Sequence, residues 1–427
     1  MIYLLFNFIF HNLKYFFLYI VVKKAICMYI YKENQNVNKR DIFIDKFGSW
    51  DIPIKYQIDP PLEDNIIKEA MKEIEKNTCI TFTKADLSKN DTQGIVFQQS
   101  KICASGIGLV NYEHTQIIQL TDGCSKNKGV ILHELGHALG LVHEQSRKDR
   151  NKYVSVDTSN IEETEKVNFQ IQPHPSYRNF SIYYNYNSIM HYGQRDFEIR
   201  SHTPVLKSIL HSEYDRMMGQ RFYMTFTDFK QLNLAHCDKC NITGIEKKER
   251  TKPKEKNEKT KKDKRRKKGE KRKKDEKTKK DNPCLNGGYP NFTVCDKCIC
   301  PLGYTGSVCK DLEKSEESCG NTTFKVTKDL YKYGLLGKKK CFIFLLAEKE
   351  KKIEIVVYYA NARSKEICTE DVSHQIKHLA DKGTTGLLLC SFRRDPIKLT
   401  SDLNSILIYY NGQDTNHFLQ IGFKEAE

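Results

Sequence analysis

One run of eleven residues limits the fold more than any other part of the chain: His133-Glu134-Leu135-Gly136-His137-Ala138-Leu139-Gly140-Leu141-Val142-His143. On a helix, side chains four residues apart project from one face, so the rings of His133 and His137 can converge on a single metal ion with Glu134 beside them. Gly140 tolerates the left-handed conformation that ends a helix, which lets the chain turn back and deliver His143 as a third nitrogen ligand. Three neutral nitrogen donors suit a tetrahedral zinc ion and leave its fourth position for water.

The first five residues of this run alone form a pattern that also occurs in ordinary amphipathic helices, where it carries no metal. The third histidine, reached through a glycine at this spacing, argues for zinc. Further on stands Ser188-Ile189-Met190-His191-Tyr192, which resembles the methionine turn beneath the zinc of metzincins. Together with HELGHALGLVHEQSRKDR, with MGQR at Met218 to Arg221, and with TDFKQLN just after it, these words resemble the astacin family of zinc endopeptidases. The resemblance runs from Trp50 to Cys237.

It implies an α+β metzincin domain, with a mixed sheet and a zinc helix, holding one catalytic Zn2+ through His133, His137 and His143. Glu134 is the implied general base, and Tyr192 a resting fifth ligand that swings to the tetrahedral oxyanion. Met190 packs under the metal, Gly140 makes the turn, and Glu144 receives a newly cut amino terminus. The implied bridges are Cys79 to Cys237 and Cys103 to Cys124. One departure is visible: Asn151 stands where the family usually has a second aspartate after Asp149-Arg150, at a position that is not a ligand.

The residues around these motifs carry their own signals. After Pro60-Pro61, the apolar positions Leu62, Ile66, Ile67, Ala70, Met71 and Ile74 follow a helical period. Short β-rich runs at Ile80 to Thr83, Ile95 to Gln98 and Thr115 to Leu120 follow, with Gly106 and Gly108 marking a bend. By resemblance, the run ending at Leu120 lies near the edge strand that takes a substrate backbone antiparallel.

The chain has 427 residues, 15 of them cysteine. That cysteine usage fits an oxidising compartment and a secreted, extracellular protein. Residues 1–24 read as a signal peptide or signal anchor, and membrane attachment is expected only if this leader stays uncleaved. Residues 25–40 read as a short prosegment ending in Lys39-Arg40, and cleavage there gives a catalytic domain over 41–238 with Asp41 at its start. Residues 1–40 contain no aspartate, so the family's usual zymogen device is missing. Sequons at Asn90, Asn179, Asn241, Asn291 and Asn321 agree with export.

Residues 247–280 carry 21 Lys or Arg against 7 Asp or Glu, and account for most of the formal net charge of +16. With almost no apolar side chains, this stretch is expected to be a solvated spacer. Heparan-type polyanions are possible partners for it, but no aromatic residue interleaves to stack on bases, so no specific nucleic acid is expected.

The end of the next stretch, C-x-C-P-x-G-Y-x-G-x-x-C, resembles an EGF-like module. That module spans 239–310, with 244–281 as a basic insertion, if Cys240 supplies its sixth cysteine. The implied pairs are Cys240-Cys295, Cys284-Cys298 and Cys300-Cys309. Residues 319–427 resemble a CUB-like β-sandwich, with Cys319-Cys341 and Cys368-Cys390 as its implied pairs. The expected function is a zinc-dependent endopeptidase acting on extracellular proteins or peptides. The competing reading is a secreted polyanion-binding or adhesion protein that works through the basic run and the two later modules.

Overall fold

The computed structural model describes residues 42–43, 50–87, 93–111, 114–171, 177–178, 182–237 and 283–427. The leader, the prosegment, Asp41, the basic run, Cys240 and the sequons at Asn90, Asn179 and Asn241 lie outside these residues.

A five-stranded sheet opens the fold, in the order Phe82–Lys84, Ile54–Ile58, Ile95–Gln99, Gln116–Leu120, Ala104–Ser105. The first four strands are parallel, and Ala104–Ser105 is an antiparallel edge. The sheet is therefore mixed, and the Gln116–Leu120 run lies one strand in from that edge. The strand expected at Ile80 to Thr83 forms two residues later, at Phe82–Lys84, because Ile80 and Thr81 bring the chain out of the preceding helix.

That helix, Asp64–Asn77, buries Ile67, Ala70, Met71 and Ile74, the stripe that its periodicity announced. The second helix, Lys128–Ala138, carries the first two histidines and is buried along nearly its whole length. Strands and helices share one apolar core, which includes Phe97, Ile118, Leu135, Ile189 and Met190.

After His143 the regular elements are short until the Phe226–His236 helix, which opens with a capping box between Thr225 and Asp228. Disulfides tie Cys79 to Cys237 and Cys103 to Cys124. Residues 283–312 form two short antiparallel pairs with bridges Cys284–Cys298 and Cys300–Cys309. Cys295 is disulfide-bonded as well.

The C-terminal part is a sandwich of two five-stranded sheets. One runs in the order Thr323–Lys325, Lys339–Leu346, Ser405–Gly412, His374–Lys377, Leu387–Leu389. The other joins Tyr331–Leu336, Phe418–Glu425, Ile353–Asn361 and Phe392–Arg393, with Ile397–Thr400 also paired to Ile353–Asn361. Alternate residues point inward, as in Ile353, Ile355 and Val357, which are all buried. Bridges Cys319–Cys341 and Cys368–Cys390 complete the sandwich. Its core continues without a break into the 154–218 part of the chain, through Val154, Leu206, Tyr214 and Met217.

Candidate metal centre

The helix that carries His133 and His137 is fixed at both ends by its own sequence. At its start, the Asn127 side chain accepts from the backbone N–H groups of Gly129 and Val130, satisfying donors that a helix leaves unpaired. Gly129 lies so close to the carbonyl of Arg221 that a Cβ there would come within 1.8 Å of its oxygen. At the other end Gly140 has φ of +102°. Its N–H bonds to the carbonyl of His137 and that of Leu141 to the carbonyl of Gly136, both at 2.8 Å. This is a Schellman stop, and it swings the chain back so that His143 faces the helix.

The three rings meet. His143 Nε2 lies 3.1 Å from His137 Nε2 and 3.3 Å from His133 Nε2. The opposite nitrogens of the helical pair are used: His133 Nδ1 donates to Ile189 O at 2.9 Å and His137 Nδ1 to Leu141 O at 2.8 Å. These bonds fix the tautomer, so both Nε2 atoms present lone pairs to the centre. An N–H on His143 would satisfy only one of them, whereas a cation among the three satisfies all. Burial pushes the His137 imidazole down to about 4 and holds His133 and His143 well below the ordinary histidine range. Near neutral pH all three are thus neutral ligands, and among the described residues they form the one cluster of this kind. The donor set fits zinc.

Glu134 is buried beside them, and its Oε2 has no hydrogen-bond partner. Burial raises its carboxyl to about 7, against the pull of the Arg221 guanidinium. Tyr192 is buried, with its ring 4.4 Å from that of His143 and 5.5 Å from that of Phe169. Met190 packs beneath the helix, its sulfur 3.0 Å from where a Cβ on Gly136 would stand. Glu144 accepts from Arg147 Nη1 at 3.0 Å and from the Asn185 N–H at 2.8 Å. At the departure from the family wording, Asn151 Oδ1 accepts from Arg150 Nε at 3.3 Å.

Several residues that hold this arrangement carry no motif signal. Asp228 is fully buried and accepts from Ser188 Oγ at 2.6 Å, from the Ile189 N–H at 3.2 Å and from the N–H of Thr225 at 2.8 Å. It thereby pins the turn whose Ile189 carbonyl orients His133. The spacing Thr225-x-x-Asp228 was readable as a helix start, but the second duty of Asp228 was not. Gln145 reaches the Tyr192 N–H at 3.1 Å, and Trp50 Nε1 donates to Ala138 O at 2.8 Å.

Comparison with known proteins agrees with this geometry. Residues 43–237 match the model of the astacin family of peptidases. The chain is 30% identical over 403 residues to zinc metalloproteinase nas-36 of Caenorhabditis elegans, covering 90% of this chain and 57% of that protein. It is 25% identical over 404 residues to zinc metalloproteinase dpy-31 of the same organism, covering 91% and 61%. The chain thus spans somewhat over half the length of these relatives. Among solved structures, the hatching enzyme zinc-protease HCE-1 of Oryzias latipes aligns with 29% identity and a TM-score of 0.39, over 43% of this chain and 92% of that one. Residues 43–237 of this chain are an astacin domain, and through it the chain belongs to the astacin family of zinc metallopeptidases.

Proposed function

We propose that the chain is a secreted zinc endopeptidase that hydrolyses internal peptide bonds of extracellular proteins or peptides. The observation that carries this reading is the convergence of three neutral Nε2 atoms beside a buried, unpartnered carboxylate oxygen. Zinc held by His133, His137 and His143 supplies Lewis acidity, making water a usable nucleophile near neutral pH and polarising a carbonyl.

Glu134 takes the proton from the attacking water and passes it to the departing amine. A carboxyl that titrates at about 7 is matched to both duties. The Tyr192 hydroxyl turns toward the carbonyl oxygen as it gains charge, a contact typically worth about 3 kcal/mol. The antiparallel edge at Ala104–Ser105 offers backbone groups to an extended substrate.

The six disulfides among the described residues support export. Residues 239–310 and 319–427 are read as EGF-like and CUB-like modules, and cleavage after Arg40 as the maturation step. The test is Glu134→Ala in the full chain. It should keep one zinc by metal analysis while losing at least about 10²-fold in casein hydrolysis. Normal turnover by that variant would remove Glu134 from the mechanism.

A further inference from the structure

The turn at 185–190 is the floor of the metal centre, because Ile189 O fixes the ring of His133 at 2.9 Å. What holds that floor from below is not confined to the peptidase domain. Asn187 is fully buried. Its Nδ2 donates to Met217 O at 3.0 Å and to Cys368 O of the sandwich at 3.1 Å. Its Oδ1 accepts from the Tyr223 hydroxyl at 2.7 Å, and that hydroxyl accepts from the Glu370 N–H of the sandwich, also at 2.7 Å. Asn185, two residues earlier, reaches Thr385 Oγ1 at 3.4 Å.

The neighbouring 213–217 loop is gripped by the same face of the sandwich. Its Arg216 O accepts from the Cys368 N–H at 2.8 Å, and the guanidinium donates to Cys390 O at 3.1 Å and Lys365 O at 3.0 Å. Both halves of the Cys368–Cys390 bridge are therefore bound to the peptidase domain through their main chains. Tyr214 meets His378 Nε2 at 2.8 Å, and Glu213 forms an ion pair with Arg393. The apolar core runs unbroken across this junction, through Met217 and Leu388. Modules that merely rest on one another keep separate cores and a more polar interface.

We propose that the β-sandwich is a built-in buttress of the metal centre, with Asn187 and Tyr223 as positioning residues that carry its grip to the Ile189 carbonyl and so to His133. The kind of partner this face of the peptidase domain fits is the chain's own disulfide-bridged loop pair, 365–370 and 385–391. The inference rests on the zinc peptidase reading and adds that the site depends on a module remote in sequence. Without the sandwich, the second Nδ2 hydrogen of Asn187 and the oxygen of Tyr223 lose their partners, and the turn is free to shift under His133.

The test uses the full-length, zinc-loaded protein and follows transfer of zinc to a chromogenic chelator at a temperature well below melting, with kcat and KM on a peptide. Arg393→Glu sets two carboxylates against each other at the rim of the junction. It should speed zinc release about tenfold and lower kcat with KM little changed, and adding Glu213→Arg should restore both. Tyr223→Phe removes one hydroxyl, a change mild enough to preserve folding, and should speed release several-fold. Wild-type release rates in Tyr223→Phe and Arg393→Glu, even with lowered melting temperatures, overturn the buttress while leaving the peptidase reading intact. A wild-type chain that holds no zinc overturns both.

Discussion

Between Ile54 and Ala138 most of the described chain lies in strands and helices around one apolar core. Between His143 and Thr225 the described strands are no longer than Val154–Val156 and Leu206–Ser208, joined by 3-10 turns. Each region supplies part of the metal centre. The regular one offers two histidines whose spacing is set by the helix itself. The irregular one must place His143, Met190 and Tyr192 without a repeating backbone ladder, and it does so with buried polar side chains that seek main-chain groups. Arg147 is 1% exposed and ties Glu144, Asp149 and the carbonyl of Ile182, while Gln220 reaches the carbonyls of Asn187 and Tyr223. Such a network stays satisfied only while every partner is in place, which explains why this region borrows the sandwich as a support and the regular region does not.

The sharpest way to break the comparison is to remove one carboxylate from the irregular region. Asp228→Ala leaves the Ser188 hydroxyl and the Ile189 N–H buried and unpaired. With hydrogen bonds to a charged group worth about 1.5–3 kcal/mol each, the loss should reach about 4 kcal/mol. Urea unfolding should show it, and zinc release should accelerate in parallel. A variant as stable as wild type would mean that the turn is held by packing alone.

The sandwich buries charge in its own way, and pH separates it from the peptidase domain. Lys377 and Lys382 are almost wholly buried, and their ammonium groups bond to the carbonyls of Lys382, Thr384, Leu379 and Ser405. Burial lowers both to about 8, with Glu370, Asp381 and Asp402 pulling the other way. The unfolded chain, where lysine titrates near 10.4, binds more protons than the folded one above pH 8. Stability carried by these residues is therefore lowest below pH 8 and grows as pH rises from 8 toward 10.4, by up to about 3 kcal/mol for the pair's stronger member. Melting curves across this window should rise for wild type relative to Lys377→Met, which removes one of the two titrations. Parallel curves would mean that the carbonyl shell keeps Lys377 charged.

The same contrast governs what could be read in the sequence. His133, His137, Gly140 and His143 are legible because ligand spacing is dictated by the geometry of a helix and its stop. The helix at Asp64–Asn77 and the strands at Ile95–Gln99 and Gln116–Leu120 are legible because burying one face imposes a period. The link from Asn187 through Tyr223 to Glu370 has no such signature. Its members are 36 and 147 residues apart, and an asparagine in Tyr-Asn-Tyr-Asn-Ser looks like any loop residue. Nor does a line of cysteines reveal that the carbonyl of Cys368 faces the peptidase domain.

The smallest effect should come from the regular region, and it is the control that the comparison needs. Asn127 caps the zinc helix through the N–H groups of Gly129 and Val130, and Asn127→Ala should cost about 1 kcal/mol. In a domain of this size that lowers the melting temperature by roughly 2–4 °C. The cap lies more than a turn before His133, and the ladder of the helix, its Schellman stop and the Trp50 contact to Ala138 all remain. The ring positions are then unchanged, so zinc should leave at the wild-type rate even though the protein melts earlier. If zinc release sped up as much in Asn127→Ala as in Asp228→Ala, stability alone would govern metal retention. The distinction between a self-supporting helix and a buttressed turn would then be lost.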